Sequence, residues 1–352
     1  MKAELISINP TTGQEINRYP THTDEEISIL IDQAQVAFQT WRKTSVETKI
    51  HFLERLADLL RSEQEQATIM TLEMGKPITS AQAEWSKCAT LCTYYSKNLK
   101  AFLSDEVITE ENGKKITLSY QPLGPLLGIM PWNFPFWQVI RFAVPAIAAG
   151  NTVLLKHASN VTGSALLLEK LMLQAGLPKG VYQAILAKSE QMPNVIEHPY
   201  IQGVSLTGST QAGATVASIA GAAIKPSLLE LGGNDAYVIL KDANLELAVT
   251  EGLESRMKNA GQSCIGAKRF IVESPVYGAF VDLLKNQMSK LNFGDPLDPN
   301  TEIGPLVSVK ERDRIHQFVC QAIDQGATLV YRGQIPATTG AFYPPTLLTI
   351  GD

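Results

Sequence analysis

A surplus of positive charge is the first thing this sequence lacks. Its 352 residues carry 30 Lys and Arg against 35 Asp and Glu, a net charge of −5. That leaves no basic footprint for nucleic acid and no polybasic patch for anionic lipid. Long apolar runs are missing too. The most apolar stretch, FAVPAIAAGNTVLL, is interrupted by Pro145, Gly150 and Asn151, and it is too short to cross a bilayer, so no membrane association is expected. The N-terminal MKAELISINPTTGQE has neither the apolar centre of a secretory signal nor the arginines of a transit peptide. Cysteine is scarce, at Cys88, Cys92, Cys264 and Cys320. Without a secretory context this reads as a reduced, cytoplasmic chain and not as a disulfide framework. Cys88 and Cys92 lie four apart in an expected helix with no second ligand pair, so they read as packing, and no metal is expected. Also absent are internal repeats, low-complexity segments, the Gly-x-Gly-x-x-Gly fingerprint and the P-loop. His22, His51, His157, His198 and His316 are scattered, only His157 lies inside a motif, and none sits in a recognisable pairing context for a thiol.

What is present is the composition of a globular enzyme-sized chain: 45% hydrophobic, 18% charged, with 25 Gly and 19 Pro. The length suits two domains or one large α/β domain. Thr23-x-x-Glu26 is a capping box, followed at helical spacing by Ile27, Leu30, Ile31, Ala34 and Phe38. Ser45 opens a second helix over Leu53, Leu56, Leu59 and Leu60, and a third is expected from about Pro77 to Leu103. VITEENGKKITLSY then reads as two strands around Asn112-Gly113, a strong hairpin signal. From Pro122 onward the period alternates. PLGPLLGIMP, NTVLLKH, VYQAILA, IQGVSLTG, DAYVIL and KRFIVES read as strands with amphipathic helices between them, such as SALLLEKLMLQAG, closed by Gly176 and Pro178. Strand and helix in alternation imply a doubly wound parallel sheet. The final GAFYPPTLLTIGD reads as a turn and a strand.

Several short stretches could carry chemistry. In KNAGQSCIGAKR, Cys264 is either a small core filler or a nucleophile. In VSLTGSTQAG a strand meets Gly208 and Ser209 before a small-residue helix, which is either an anion site or a plain tight turn. Lys156 ends an apolar strand in LLKHAS, at the sheet edge where ligands bind in open parallel sheets, or else it snorkels there with its charge in water. Asn133, between Pro131 and Pro135, offers an amide donor for an oxyanion, or bonds its own turn. Glu230 follows an apolar run in LLELGGND, where desolvation would raise its pKa toward a general base, or it is a salt-bridged glutamate at a strand end. Thiol, amide, base and anion site form one constellation suited to thiol-mediated aldehyde oxidation.

With PWNFP, LLKHAS, LTGSTQAG, LELGG, NAGQSC, FGDPLDPNTEIGPL and YPPTLL in order, the chain resembles the NAD(P)-dependent aldehyde dehydrogenase superfamily from near residue 6 to its end. WNFPFWQVIR and LLKHASNV resemble its succinate-semialdehyde dehydrogenases. The resemblance implies Cys264 as nucleophile, Glu230 as base and Asn133 as oxyanion donor with the Cys264 backbone N–H. It implies a cofactor site for NAD or NADP built from Trp132, Lys156, Ser159, Gly208, Ser209 and Leu231, with Lys156 on the adenosine ribose. Where many NAD-preferring relatives carry glutamate, this chain has Ser159, which neither repels nor clashes with a 2′-phosphate. Arg141 matches an arginine used by semialdehyde-oxidising relatives, or forms a structural salt bridge, and Arg256 is a second candidate for a substrate carboxylate. The implied fold is α/β, with two doubly wound parallel-sheet domains: a cofactor-binding domain at 1–106 and 121–229, a β-hairpin oligomerisation element at 107–120, and a catalytic domain at 230–352.

The family normally continues past YPPTLL, with a glutamate that holds the nicotinamide ribose, a substrate loop and a final strand that pairs with a partner subunit. The resemblance therefore implies a catalytic domain whose C-terminal part is missing. Homo-oligomers are the family's habit, and the hairpin here would lack one strand of that sheet. Two rival expectations follow: an inactive truncated paralogue that binds nucleotide or associates with a full-length relative, and a thiol hydrolase that uses Cys264 without cofactor.

Overall fold

A computed structural model describes residues 3–111, 113–334 and 340–350. The chain begins with strands β1 (Glu4–Ile8) and β2 (Glu15–Pro20), then helices α1 (Asp24–Trp41), α2 (Val46–Ser62), α3 (Thr68–Met74) and α4 (Ile78–Phe102). A hairpin follows, β3 (Glu106–Glu111) with β4 (Lys114–Leu118). The alternating region runs β5 (Pro125–Met130), α5 (Trp137–Ala148), β6 (Thr152–His157), α6 (Thr162–Gln174), β7 (Tyr182–Ala184), α7 (Met192–Glu197), β8 (Gly203–Gly208), α8 (Thr210–Ala222) and β9 (Ser227–Leu231). Last come β10 (Ala236–Ile239), α9 (Leu245–Met257), β11 (Arg269–Val272), α10 (Ser274–Met288), α11 (Val309–Asp324), β12 (Thr328–Arg332) and β13 (Thr346–Thr349).

The contacts divide this chain into two compact units: residues 1–7, 18–66 and 82–231, and residues 8–17, 67–81 and 232–352. The 8–17 and 67–81 segments join the later unit, which chain order gives no reason to expect. The hairpin at 107–120 belongs to the first unit, and its Asn112 lies outside the described residues.

The first unit is organised by a five-stranded parallel sheet in the order β7-β6-β5-β8-β9. In chain order that is third, second, first, fourth, fifth strand, so the winding reverses between β5 and β8. Crossovers must be covered on both faces, and β6 accordingly buries all six of its residues. Leu127, Leu154, Val204 and Leu206 of the sheet pack with Ile27 and Ile31 of α1 in one apolar cluster. The capping box forms as its spacing requires: the Thr23 side chain accepts from the Glu26 N–H, and the Glu26 carboxylate accepts from the Thr23 N–H. Ser45 caps α2 by accepting from the Thr48 N–H at 3.2 Å. Cys88 and Cys92 are fully buried on α4, and burial pushes the Cys92 thiol up to about 12, as suits packing residues.

In the second unit β10 and β11 pair in parallel with α9 between them, and β12 and β13 pair antiparallel. Ile239, Val249, Leu253, Phe280, Leu284 and Met288 form its core. The early segments are held by backbone-close contacts. A Cβ at Gly304 would lie 2.3 Å from the Gly75 carbonyl oxygen, far inside contact distance, and Gly75 itself has φ 77°. The Ala341 N–H donates to the Pro10 carbonyl at 2.7 Å.

Candidate active site

The first unit gathers its candidates along one sheet edge. Parallel strands point their carboxyl ends the same way, and ligands of open α/β sheets bind outside those ends where the strand order reverses. β5 ends at Met130 and leads into Trp132 and Asn133; β8, its neighbour across the reversal, ends at Gly208 and leads into Ser209. β6 ends with Lys156 and His157, and β9 ends with Glu230 and Leu231.

Lys156 is buried, at 7% exposure, and that burial pushes its ammonium pKa down, against an opposing pull from Glu190. A snorkelling lysine with its head in water does not fit this position. The Ser209 hydroxyl caps α8, accepting from the Ala212 N–H at 3.2 Å. The first-turn N–H groups of that helix, with its dipole, open onto the same sheet edge. Gly213 admits Leu231 against α8: a Cβ there would sit 2.6 Å from Leu231 Cδ2. Ser159 is exposed just past β6, and its carbonyl accepts from the Thr162 hydroxyl at 2.9 Å.

Trp132 and Asn133 are half-buried, on a loop held by two residues whose positioning role the sequence did not announce. His157 is one. Nε2 lies 2.9 Å from the Pro135 carbonyl and Nδ1 3.2 Å from that of Met130. Complete burial nevertheless pushes its pKa down to about 4, so the ring is neutral near pH 7 and has one N–H. The shorter contact places that proton on Nε2, and Nδ1 then receives the Ala158 N–H at 3.0 Å. Glu84, buried on α4, is the other. Its Oε1 accepts from the N–H groups of Phe136 and Trp137 at 3.0 and 2.9 Å, where a carboxylate is favoured by the start of α5. His157 could have been singled out from its place inside a motif; Glu84, some fifty residues from its partners, carried no local signal.

Of the two readings of Glu230, the salt-bridged one fits. Glu230 is not desolvated among apolar groups: its side chain is 52% exposed and pairs with Arg141 of α5 at 3.5 Å. The reason is topological, because β9 is an edge strand with one uncovered flank. The structure thus brings together two residues read separately as base and substrate cation.

In the second unit Cys264 is half-buried in a loop after α9. Asn259, Ala260 and Gly261 all adopt left-handed backbone, with φ of 55°, 54° and 78°. Glycine adopts this freely and asparagine tolerates it, whereas alanine there costs about 1 kcal/mol. Side chains hold the turn. The Gln262 side-chain amide donates to the Asn259 carbonyl at 3.0 Å and accepts from the Val307 N–H at 2.9 Å. The Lys268 ammonium donates to the Cys264 carbonyl at 2.7 Å, and the Ser255 hydroxyl accepts from the Ala267 N–H at 3.1 Å. Arg256 donates to the Gly261 carbonyl at 3.3 Å, with burial lowering its pKa. That is a brace under the thiol loop, a use different from the substrate cation expected of it.

The chain matches the aldehyde dehydrogenase family over residues 2–350. It belongs to that family. A succinate-semialdehyde dehydrogenase (NADP+) of Mycolicibacterium paratuberculosis is 43% identical over 98% of this chain and 74% of its own. One from Mycobacterium tuberculosis is 42% identical over 98% of this chain and 76% of its own. Among solved structures, the succinic semialdehyde dehydrogenase of Streptococcus pyogenes in complex with NADP+ superposes with a TM-score of 0.94 at 35% identity, covering 98% of this chain and 76% of that one. Another solved chain, 28% identical with a TM-score of 0.94, is a complex with nicotinamide adenine dinucleotide. This aldehyde dehydrogenase family member thus spans about three-quarters of the length of the relatives it matches. Among the described residues no helix is long and apolar enough to cross a membrane, and no group of three or more His, Cys, Asp or Glu could hold a metal ion.

Proposed function

We propose that this chain oxidises succinic semialdehyde to succinate, with NADP+ or NAD+ as hydride acceptor and Cys264 as nucleophile. The observation that carries the reading is the alignment of Asn133, Lys156, Ser209 and Glu230 along the carboxyl edge of one sheet, on both sides of its winding reversal. The residues fit the cofactor. The α8 N-terminus suits a pyrophosphate, and buried Lys156 suits a ribose hydroxyl at the end of β6. Exposed Ser159 leaves room for a 2′-phosphate, in keeping with relatives named for NADP+.

In this mechanism the Cys264 thiolate attacks the aldehyde carbon. The Asn133 amide and the Cys264 N–H hold the oxyanion. When bound, the nicotinamide would accept hydride from that carbon. A thioester on Cys264 is left, Glu230 takes a proton from water, the water oxygen attacks, and the acid departs as the thiol is restored. Arg141 would meet the substrate carboxylate. Its present partner is no obstacle: an exposed ion pair is worth about 0–1 kcal/mol, so a second carboxylate can draw Arg141 away and leave Glu230 free to act as base.

The hairpin presents Val107, Ile108, Ile116 and Leu118 to solvent. Association with further copies of the chain through this patch accords with the family's habit.

The test is NADPH formation from succinic semialdehyde by the intact chain beside Cys264→Ala, with Arg141→Ala assayed on succinic semialdehyde and on butanal. Turnover that requires Cys264, and a KM raised by Arg141→Ala for the carboxylated aldehyde alone, is expected. Turnover that survives Cys264→Ala would sink the nucleophile assignment. No turnover from the intact folded chain would favour an inactive paralogue.

A further inference from the structure

Arg141 has a second cation near it on the same side of α5. Lys87 of α4 lays its ammonium 3.7 Å from the centroid of the Trp137 ring, and Trp137 stands four residues before Arg141 on α5. Residues four apart on a helix share a face, with Cβ atoms about 5–6 Å apart. Lys87, the Trp137 indole and Arg141 therefore follow one another along one face of α5, and Glu230 meets that row at Arg141, 3.5 Å away. All four groups belong to the first unit.

Packing fixes the Lys87 end of this row. Glu84, one turn earlier on α4, accepts from the Phe136 and Trp137 N–H groups at 3.0 and 2.9 Å, and the Trp85 and Phe136 rings meet with centroids 4.8 Å apart. These contacts hold the start of α5 against α4 and bring the Trp137 ring under Lys87. Glu84 is the one carboxylate in the α4 sequence, and its Oε1 is engaged by those two N–H groups. The indole attracts the ammonium through its quadrupole and removes water from that side of it. Lysine has three N–H donors, and Lys87 is exposed, so a carboxylate can reach it from solvent. Between the two cations the half-buried indole offers an apolar surface to a short methylene chain.

We propose that Lys87 is a second carboxylate anchor for the substrate: with Arg141 it clamps the terminal carboxylate of a short aldehyde acid whose methylenes lie on Trp137. This rests on the reading in which Arg141 meets the substrate carboxylate, and it deepens that reading. The two cations contribute differently. The Arg141 guanidinium is a rigid fork that fixes the plane of a carboxylate, whereas Lys87 is a point charge on a flexible stem that follows it. A lysine that only stapled α4 to α5 would matter equally for every aldehyde. A lysine that binds the carboxylate matters for aldehydes that carry one.

The experiment uses the full chain with Lys87→Gln, Lys87→Arg and Trp137→Phe. Lys87→Gln should raise the KM for succinic semialdehyde about tenfold, the loss of one charge-assisted hydrogen bond, while the KM for butanal moves by less than about twofold. Lys87→Arg should recover most of that loss. Succinate alone is the second probe, and it is read without turnover. Titrated into the parent chain, it should change the tryptophan emission, a change absent from Trp137→Phe, and its Kd should rise about tenfold in Lys87→Gln. Equal KM shifts for the two aldehydes would show a structural staple and overturn the proposal. An unchanged succinate Kd in Lys87→Gln, or no response to succinate in the parent, would overturn it as well. The Arg141 assignment is judged separately: if Arg141→Ala weakens succinate and Lys87→Gln does not, only the Lys87 anchor fails, and if neither weakens it, both fail.

Discussion

Lys156 and Cys264 differ in what stands behind them. Behind Lys156 is a strand with every residue buried, paired on both sides within a five-stranded sheet. Behind Cys264 is a turn with three consecutive left-handed residues, held by Gln262, Arg256, Lys268 and Ser255 one hydrogen bond at a time. A sheet edge places groups by the pooled packing of many side chains, so single substitutions there register first as lost stability. A clamped loop places its thiol by a few polar contacts, so single substitutions there register first as lost geometry. Even the loop in the first unit follows the sheet's rule, since Glu84 and His157 fix it from within the core.

This difference can be broken at several points. The largest effect is expected from Cys264→Ser, which should lower NADPH formation by about a thousandfold or more while leaving the thermal midpoint unchanged. Gln262→Ala removes the link to Val307 and should reduce kcat by about ten- to a hundredfold, a misplacement effect. Its KM for NADP+ should stay within twofold if the two regions are as independent as this comparison holds. On the sheet side the opposite pattern is expected. Glu84→Ala strips the buried Phe136 N–H and the part-buried Trp137 N–H of their acceptor and should cost about 2–3 kcal/mol in urea unfolding, a loss that registers in stability before it registers in kcat.

Acid provides a graded version of the same contrast. The His157 pKa is depressed from 6.5 to about 4 in the folded chain. Between those values the unfolded chain binds more protons, so the contribution is complete above pH 6.5 and is lost as pH falls through 4, on the order of 3 kcal/mol in all. Urea midpoints at pH 7 and pH 4.5 should differ more in the parent than in His157→Gln. The smallest expected effect is a gain: Ala260→Gly relieves a left-handed alanine and should raise stability by about 1 kcal/mol, read in the thermal midpoint. No gain would mean that the turn is held in this shape at no local cost.

What the sequence disclosed was whatever rests on nearby residues. The Thr23–Glu26 box, the Ser45 cap and the turn from β8 into α8 are set by spacings of three or four, and they form as read. The doubly wound sheet was legible because strand and helix alternate along one stretch. The sequence left Glu230 open between a desolvated base and a salt-bridged strand end, because its exposure depends on which strand lies at the edge of the sheet, a property of strand order and not of the LLELGG stretch. Its pairing with Arg141 joins residues far apart in sequence and has the same cause. Arg256 was a candidate for a substrate carboxylate because a brace to a carbonyl leaves no mark in sequence.

The second unit is assembled from residues 8–17, 67–81 and 232–352, and this has a consequence in time. A ribosome adding residues at its usual pace needs roughly ten to thirty seconds to make the intervening 82–231. Throughout that interval Pro10 and Gly75 have emerged without the residues they meet at Ala341 and Gly304. The first unit can close as it is made, whereas the second must wait until Gly304 and Ala341 have been made. Its early segments are therefore where a nascent chain most needs a chaperone.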